Sequence, residues 1–469
     1  MGATGHMSVS LCGSRRLWVS ILSGLFVLGC SPRTHNGGRA GGREGSKRAF
    51  PSDSNSSPDP SAFYRQLGMI AEGGTFPFVG QVRYLAGSSA DSTLALITLS
   101  FANRVLSFIG DGSGQRATYN VTIDLVQGTT TIRHLDVHKV IRVASFRETQ
   151  REDESVIFQQ YVQVAPGTYS LSIAVRDEGS SNANAQQISL TVPRFGPRSL
   201  STPISVYQVT PRTRTDTVPA LIANPRSIIV LGRDTLAGLY LEGYGLPETE
   251  RVGVAVLNDA HAVILRDTVN LVRQGSLSSA LLDFPVASIG VGPVTVIASL
   301  VGSSDSVQAP LFLSFGDAFG ITSFDELLSY LRFFTSPERL QALRDTPAEQ
   351  RAAAWAAFWK QTDPNPATPE HEALRDYFKR IATANGRYQE KGTPGWLTDR
   401  GKVYVTLGEP DQAGQQMGTS SAQSRGEIWV YTQYNLRLVF TSQGAVGRYR
   451  LTASSEADFD RVVKREQSR

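Results

Sequence analysis

Between Tyr64 and Gly316 apolar side chains recur at every second position; beyond Gly316 they recur at every third and fourth. That change of period constrains the fold more than any single motif. Tyr119, Val121, Ile123 and Leu125 alternate with Asn120, Thr122 and Asp124. Tyr169, Leu171, Ile173 and Val175 alternate with Ser170, Ser172 and Ala174. Period two places one set on one face of a strand. Turns such as Gly110-Asp111-Gly112-Ser113-Gly114 separate the runs. The pattern predicts an antiparallel, immunoglobulin-like β-sandwich over 61–197, with Pro166-Gly167-Thr168-Tyr169 turning into a late strand. A second sandwich over 198–316 rests on Val252, Val254 and Val256 and on Val294, Val296 and Ala298. Pro166-Gly167 and Gly292-Pro293 each lead a strand, a Gly/Ser turn and another strand. Two tandem copies of one fold produce this, and so do generic strand-turn-strand statistics.

After Gly316 the reading is helical. Phe324, Leu327, Leu328 and Leu331 share one helix face. Ser336-Pro337-Glu338 starts a helix, and Thr346-Pro347-Ala348-Glu349 starts the one that carries Trp355, Phe358 and Trp359. Asp363-Pro364-Asn365-Pro366 ends it. Thr368-Pro369-Glu370 opens another, with Leu374, Tyr377, Phe378 and Ile381 on one face, stopped by Asn385-Gly386. Strands are expected at Lys402–Leu407, Glu427–Gln433, Leu436–Thr441 and Gly447–Thr452, and a long loop at Ala413–Gly426. The last domain, 317–455, is therefore α+β, with helices first and then a small antiparallel sheet. Residues 456–469 read as a charged C-terminal tail.

The N-terminus indicates where the chain resides. Arg15-Arg16 precede an apolar run of twelve residues, Leu17–Leu28, too short to span a bilayer. It ends at Val27-Leu28-Gly29-Cys30 and resembles the bacterial lipobox. The expectation is a signal peptide at 1–29 and a mature protein acylated at Cys30. Cys12, the other of the two cysteines, leaves with the signal. Acyl chains anchor firmly, since each buried methylene contributes about 0.8 kcal/mol. Ser31 in place of Asp follows the sorting rule of some Gram-negative lipoproteins for the outer membrane. Residues 30–60 are rich in Gly, Ser, Pro, Asn and Arg and read as a flexible tether.

Charge excludes one class of partner. With 46 basic and 42 acidic residues the formal charge is +4, and no Lys/Arg cluster marks a nucleic-acid surface. No phosphate loop, nucleophile elbow, zinc spacing or calcium loop is present, and no cofactor is expected. His134, Asp136 and His138 lie at strand spacing, about 13 Å from first to last, too far for two histidines to share one ion. They read as a polar solvent-facing stripe, with a metal site as the competing reading. Asp399, Glu409, Asp411 and Glu427 are the acid-base candidates. A strand at 402–407 separates Asp399 from Glu409 by about 20 Å, against the roughly 5–10 Å of a glycosidase pair. Glu409 or Asp411 meeting Glu427 stays open.

The sequence Gly395-Trp396-Leu397-Thr398-Asp399 carries a resemblance. With Phe358-Trp359, Asp363-Pro364, Arg380, Ala384, Gly401-Lys402-Val403-Tyr404-Val405, Gly408-Glu409-Pro410-Asp411 and Glu427-Ile428-Trp429-Val430-Tyr431, it resembles the GWxTD-domain family of bacterial envelope proteins over about 320–452. One departure is His371, where the family commonly carries Asn. The resemblance implies an envelope location and this architecture, and no activity. A fainter likeness, at Leu407–Pro410, Glu427–Tyr431 and Leu438–Gly444, is to small scaffold lipoproteins of the outer-membrane barrel-assembly machinery.

Read from its residues, Gly395–Asp399 is a structural turn, with partner binding and then catalysis as the competing readings. Gly395 after Pro394 suits a type II turn. Trp396 plugs it against Trp355 and Trp359, and Thr398 and Asp399 accept backbone N–H bonds. The whole reads as a lipid-anchored envelope protein facing the periplasm, a non-catalytic scaffold or interaction module. Its partners are the membrane through Cys30 and an envelope protein or glycan. The alternative is a carbohydrate-active or other hydrolase using Glu409, Asp411 or Glu427.

Overall fold

The computed structural model describes residues 60–112, 114–151, 155–248, 250–315, 321, 323–368, 370–417, 425–443 and 447–467. Cys30, the signal segment and the tether lie outside them. The chain divides into two compact units. One is Gly68–Arg194 with Ala223–Arg226; the other holds Phe195–Ile222 and Ser227 onward, together with the described residues before Gly68.

The main strands are numbered in chain order. In the first unit they are β1 (Phe78–Ala86), β2 (Thr93–Ala102), β3 (Gln115–Gln127), β4 (Thr130–Val143), β5 (Ser155–Val164), β6 (Gly167–Asp177) and β7 (Ala183–Val192). One sheet has the order β1-β2-β5 and the other β4-β3-β6-β7, all antiparallel. The alternation expected in β3 and β6 is present: Tyr119, Val121, Ile123 and Leu125 meet Tyr169, Leu171, Ile173 and Val175 in one core. Tyr169 Oη donates to Ala165 O at 2.9 Å, tying down the turn that enters β6. This is the tyrosine corner of immunoglobulin-like sandwiches.

In the second unit the sandwich strands are β8 (Ile204–Thr210), β9 (Leu236–Tyr244), β10 (Arg251–Leu257), β11 (Val263–Asn270), β12 (Leu277–Pro285), β13 (Gly292–Leu300) and β14 (Ser306–Ser314). Among these strands the sheet orders are β8-β9-β12 and β11-β10-β13-β14, and shorter strands extend both, Ile228–Val230 lying parallel to β14. Add seven to each strand number of the first sandwich and the second results, sheet by sheet. The two are copies of one topology, so the sequence repeat has a structural basis. The second lacks the tyrosine corner, since β13 carries Val294 and Val296 where β6 carries Tyr169 and Leu171.

The same unit continues into helices α1 (Phe324–Tyr330), α2 (Pro337–Arg344), α3 (Arg351–Thr362), α4 (Glu372–Arg387) and α5 (Asp399–Leu407). A four-stranded antiparallel sheet follows: β15 (Gln412–Met417), β16 (Arg425–Tyr431), β17 (Leu436–Gln443) and β18 (Arg448–Leu451), in that order. Helix α6 (Ala453–Gln467) closes the chain.

Three expectations need correction. Lys402–Leu407 is helical. Its period-two run of Val403, Val405 and Leu407 comes from a helix buried on most sides, with Tyr404 buried too, and tertiary packing overrides β propensity. The expected loop at Ala413–Gly426 includes the edge strand β15, whose Gln-Ala-Gly-Gln run has no apolar alternation to reveal it. The expected tail is mostly α6, whose Phe459 and Val462 enter the core of the helices and sheet.

The second sandwich and the helices are joined by specific contacts. In the β10–β11 hairpin, Asp259 Oδ2 accepts from Phe324 N at 2.8 Å, and Asn258 Nδ2 donates to Ala348 O at 2.8 Å. Each satisfies a polar group at a helical segment. Phe315, just past β14, stacks on Phe378 at 4.3 Å and lies near Trp355 and Trp359.

Candidate functional site

The stretch Gly392–Gln412 is where helices give way to sheet. Pro394 precedes a single 3-10 turn, Gly395–Leu397, and Thr398 caps α5. Thr398 Oγ1 donates to Gly395 O at 2.7 Å and accepts from Gly401 N at 3.1 Å. The hydroxyl thus locks the turn to the helix it starts. Gly395 is not at positive φ, so the type II turn is corrected. The glycine is required by close approach: a Cβ there would lie 2.0 Å from Ala384 O on α4. At Gly401 a Cβ would lie 1.8 Å from Gly395 O. The two glycines let turn, α4 and α5 pack backbone to backbone.

Trp396 is buried, with 5% of its surface exposed. Its ring meets Tyr330 at 5.2 Å and Phe333 at 5.7 Å, and the Arg332 guanidinium covers it at 5.1 Å. The Trp396 backbone N–H donates to Asn385 Oδ1 at 3.2 Å. It does plug the turn, but its ring partners come from the end of α1 and the turn after it, where Trp355 and Trp359 were expected. Those two gather around Phe315, Phe358 and His371. Asp399, in the first turn of α5, complements the helix dipole and reaches β18. Its Oδ2 accepts from Leu451 N at 2.9 Å, and Oδ1 pairs with Arg450 at 3.3 Å.

The family model of the GWxTD domain matches residues 303–458. This segment is a GWxTD domain. The matched region begins inside the second sandwich and takes in β14, consistent with the contacts that join the two. No curated protein matches the chain in sequence. Among solved structures, dimeric latent PorU from Porphyromonas gingivalis is 11% identical with a TM-score of 0.22, covering 52% of this chain and 20% of that one. The Bifidobacterium dentium beta-glucuronidase complexed with coumarin-3-O-glucuronide is 9% identical with a TM-score of 0.17, covering 50% and 43%. The chain spans less than half the length of either, and likenesses this low say nothing about its chemistry.

The candidate carboxylates of the GWxTD domain are each engaged separately. Glu409 accepts from Arg387 Nη1 at 2.8 and 3.0 Å, and its charge raises the Arg387 pKa. Asp411 accepts from Thr432 N at 2.6 Å, a bond that holds its carboxyl below the usual range. Glu427 accepts from Arg400 at 3.1 Å and from Trp429 Nε1 at 2.7 Å. In the β15–β16 register, Glu427 faces Gln415 while Asp411 precedes the Gln412–Val430 pair. Four residues along the ladder place them about 13 Å apart. Asp399 and Leu407, two residues before Glu409, are about 12 Å apart along the α5 axis. Each of these carboxylates thus has a partner of its own.

Sequence reasoning missed the aromatic-cation cluster beside them. The Arg400 guanidinium lies 3.9 Å from the Tyr449 ring centre and 5.4 Å from that of Tyr388. Tyr388 in turn meets Trp429 and Tyr404, each at 5.5 Å. Buried Tyr431 donates to Gly408 O at 2.9 Å, pinning the positive-φ C-cap of α5, and burial pushes its pKa up. Arg400 directly follows the motif, which was the available signal. Nothing local marks Tyr388 or Tyr449, which come from separate elements.

At His371 the departure from the family keeps the function. Its Nδ1 accepts from Leu374 N at 3.1 Å and so caps α4. Asn does the same at helix N-termini. In the first unit, the His134–Asp136–His138 stripe lies on β4 at the sheet edge. His134 pairs with Asp124 at 2.6 Å, Asp136 accepts from Asn120 at 2.7 Å, and His138 pairs with Glu178. Among the described residues no three His, Cys, Asp or Glu side chains form a metal-binding group. No helix among them is long and apolar enough to cross a membrane.

Proposed function

We propose that the chain is a lipid-anchored scaffold of the bacterial envelope, held at the outer membrane through acylated Cys30. The tandem sandwiches and the GWxTD domain then serve as a non-catalytic interaction module facing the periplasm, with an envelope protein or glycan as partner. One observation carries this reading: the motif is consumed in holding the domain together. Gly395 and Gly401 serve close packing, Trp396 is core, Thr398 is a helix cap, and Asp399 ties α5 to β18. The remaining carboxylates are each held by a partner of their own, Glu409 by Arg387, Asp411 by the Thr432 N–H and Glu427 by Arg400. Paired-carboxylate hydrolysis needs two groups within about 5–10 Å of one bond.

The test is a set of single changes, Glu409→Gln, Asp411→Asn and Glu427→Gln, in cells lacking the native copy. The scaffold reading expects cellular function to follow domain stability. A variant of unchanged stability that loses function would revive the hydrolase reading. Labelling with radioactive palmitate tests the anchor: incorporation into the parent and none into Cys30→Ala is expected, and equal labelling of both would remove it.

A further inference from the structure

Strand β9 of the second sandwich is buried on both faces. Ala237, Leu239 and Leu241 enter the core, so Tyr240, Glu242 and Tyr244 lie on the outer face, and these are buried too. Residues 211–219, just past β8, bring Arg212 to this face. Within that segment only Arg212 and Pro219 are buried. Arg212 Nε donates to Glu242 Oε1 at 2.9 Å and Nη2 to Oε2 at 2.8 Å, a bidentate fork. Tyr240 Oη donates to Oε1 at 2.8 Å and Tyr244 Oη to Oε2 at 2.6 Å. Arg212 Nη1 donates to the carbonyls of Thr215 at 3.0 Å and Thr217 at 2.7 Å, so the segment wraps its own arginine. The side chains of the ion pair are 1% and 0% exposed. A lesser seat holds Thr213, whose carbonyl accepts from Ser276 N at 3.0 Å. Gly275, at φ 64°, leaves room for it, since a Cβ there would lie 2.5 Å from that oxygen.

We propose that Tyr240, Glu242 and Tyr244 form a guanidinium-binding site that the chain fills with its own Arg212, which makes 211–219 a strap latched to the sheet by that one side chain. A buried ion pair gains little over apolar residues of like volume, yet losing one partner costs heavily. That asymmetry suits a contact that is either fully made or fully open. The planar fork also discriminates, because an ammonium presents no pair of parallel donors to the carboxylate. With the site empty the strap lifts, and the vacated carboxylate and its two phenols take a guanidinium from solution. The latch is independent of the scaffold function.

The full chain in detergent is followed by amide exchange and by thermal melting, in the parent, Arg212→Ala and Glu242→Gln. In the parent, millimolar methylguanidinium and methylammonium leave both readouts unchanged. In Arg212→Ala, exchange across 211–219 is expected to rise by at least about a hundredfold and the melting temperature to fall. Methylguanidinium restores both, and methylammonium restores neither. Restoration by both ions, or by none, overturns the site. Glu242→Gln removes the negative charge at nearly constant volume; the strap opens here too, and methylguanidinium has no effect. Should Arg212→Ala leave the unit unfolded, this second variant decides. Faster exchange confined to 211–219 supports the latch. Equally faster exchange through β8, β9 and β12 shows that the pair supports the core instead, and overturns it. Unchanged exchange of 211–219 in both variants overturns it as well.

Discussion

Trp396 and His371 show how single side chains set the stability of the GWxTD domain. Trp396 is enclosed by Tyr330, Phe333 and Arg332. Trp396→Ala removes a buried ring and is expected to cost about 3–5 kcal/mol in denaturant unfolding. A variant of parental stability would show that the ring is not core. His371 makes a prediction about pH. Its Nδ1 accepts from Leu374 N, so the neutral ring carries its proton on Nε2, 3.0 Å from Thr362 Oγ1. Burial, the largest influence, lowers its pKa, while Asp363 and Glu372 pull the other way. With the folded pKa below the unfolded value of about 6.5, the unfolded chain takes up more protons as pH falls. Stability from this group is complete above about pH 6.5 and is lost as pH drops through the folded pKa. His371→Asn keeps the cap and is expected to flatten that part of the stability–pH curve. An unchanged curve would assign the acid sensitivity elsewhere.

At the scale of elements, α5 separates pattern from structure. Lys402–Leu407 has the alternation and β-branched content of a strand, yet it is helical because its two ends are determined. Thr398 caps one end, and Gly408, at φ 85°, terminates the other. Between them Val403, Tyr404, Val405 and Leu407 are all buried. Thr398→Ala is expected to cost about 1–2 kcal/mol, at the upper end for caps because the hydroxyl also holds Gly395 O. Amide exchange should show faster opening confined to the 3-10 turn and the first turn of α5. Faster exchange throughout β16 and β17 instead would mean that the cap supports the sheet directly. The helix start at Ser336 was legible from sequence, because that hydroxyl caps its helix locally; the Ser323 cap of α1 was not read, only the apolar face that follows it. The α4 start was read a few residues early, at Thr368-Pro369-Glu370, because the actual cap is a histidine, a residue not ordinarily read as one.

In the molecule as a whole, the second sandwich and the GWxTD domain behave as one body. The Asp259 and Asn258 bonds and the Phe315 stack cross between them. They are expected to unfold in a single calorimetric transition. Phe315→Ala should lower that transition by about 3 kcal/mol, near the low end for a phenylalanine that is only partly buried, and leave the first unit's transition unmoved. Separate transitions for sandwich and helices in the parent chain would count against this coupling. The sequence by itself determined the two sandwiches, their repeat relationship as one of two readings, the helices ahead of the last sheet, and the GWxTD motif. These depend on periodicity and local capping, which are written along the chain. Only the tertiary structure decided that 402–407 is a helix, that β15 is an edge strand, and that Trp396 packs on Tyr330 and Phe333. It alone assigned Glu409, Asp411 and Glu427 to separate partners. Those outcomes depend on which distant residues meet, and no local pattern encodes the meeting.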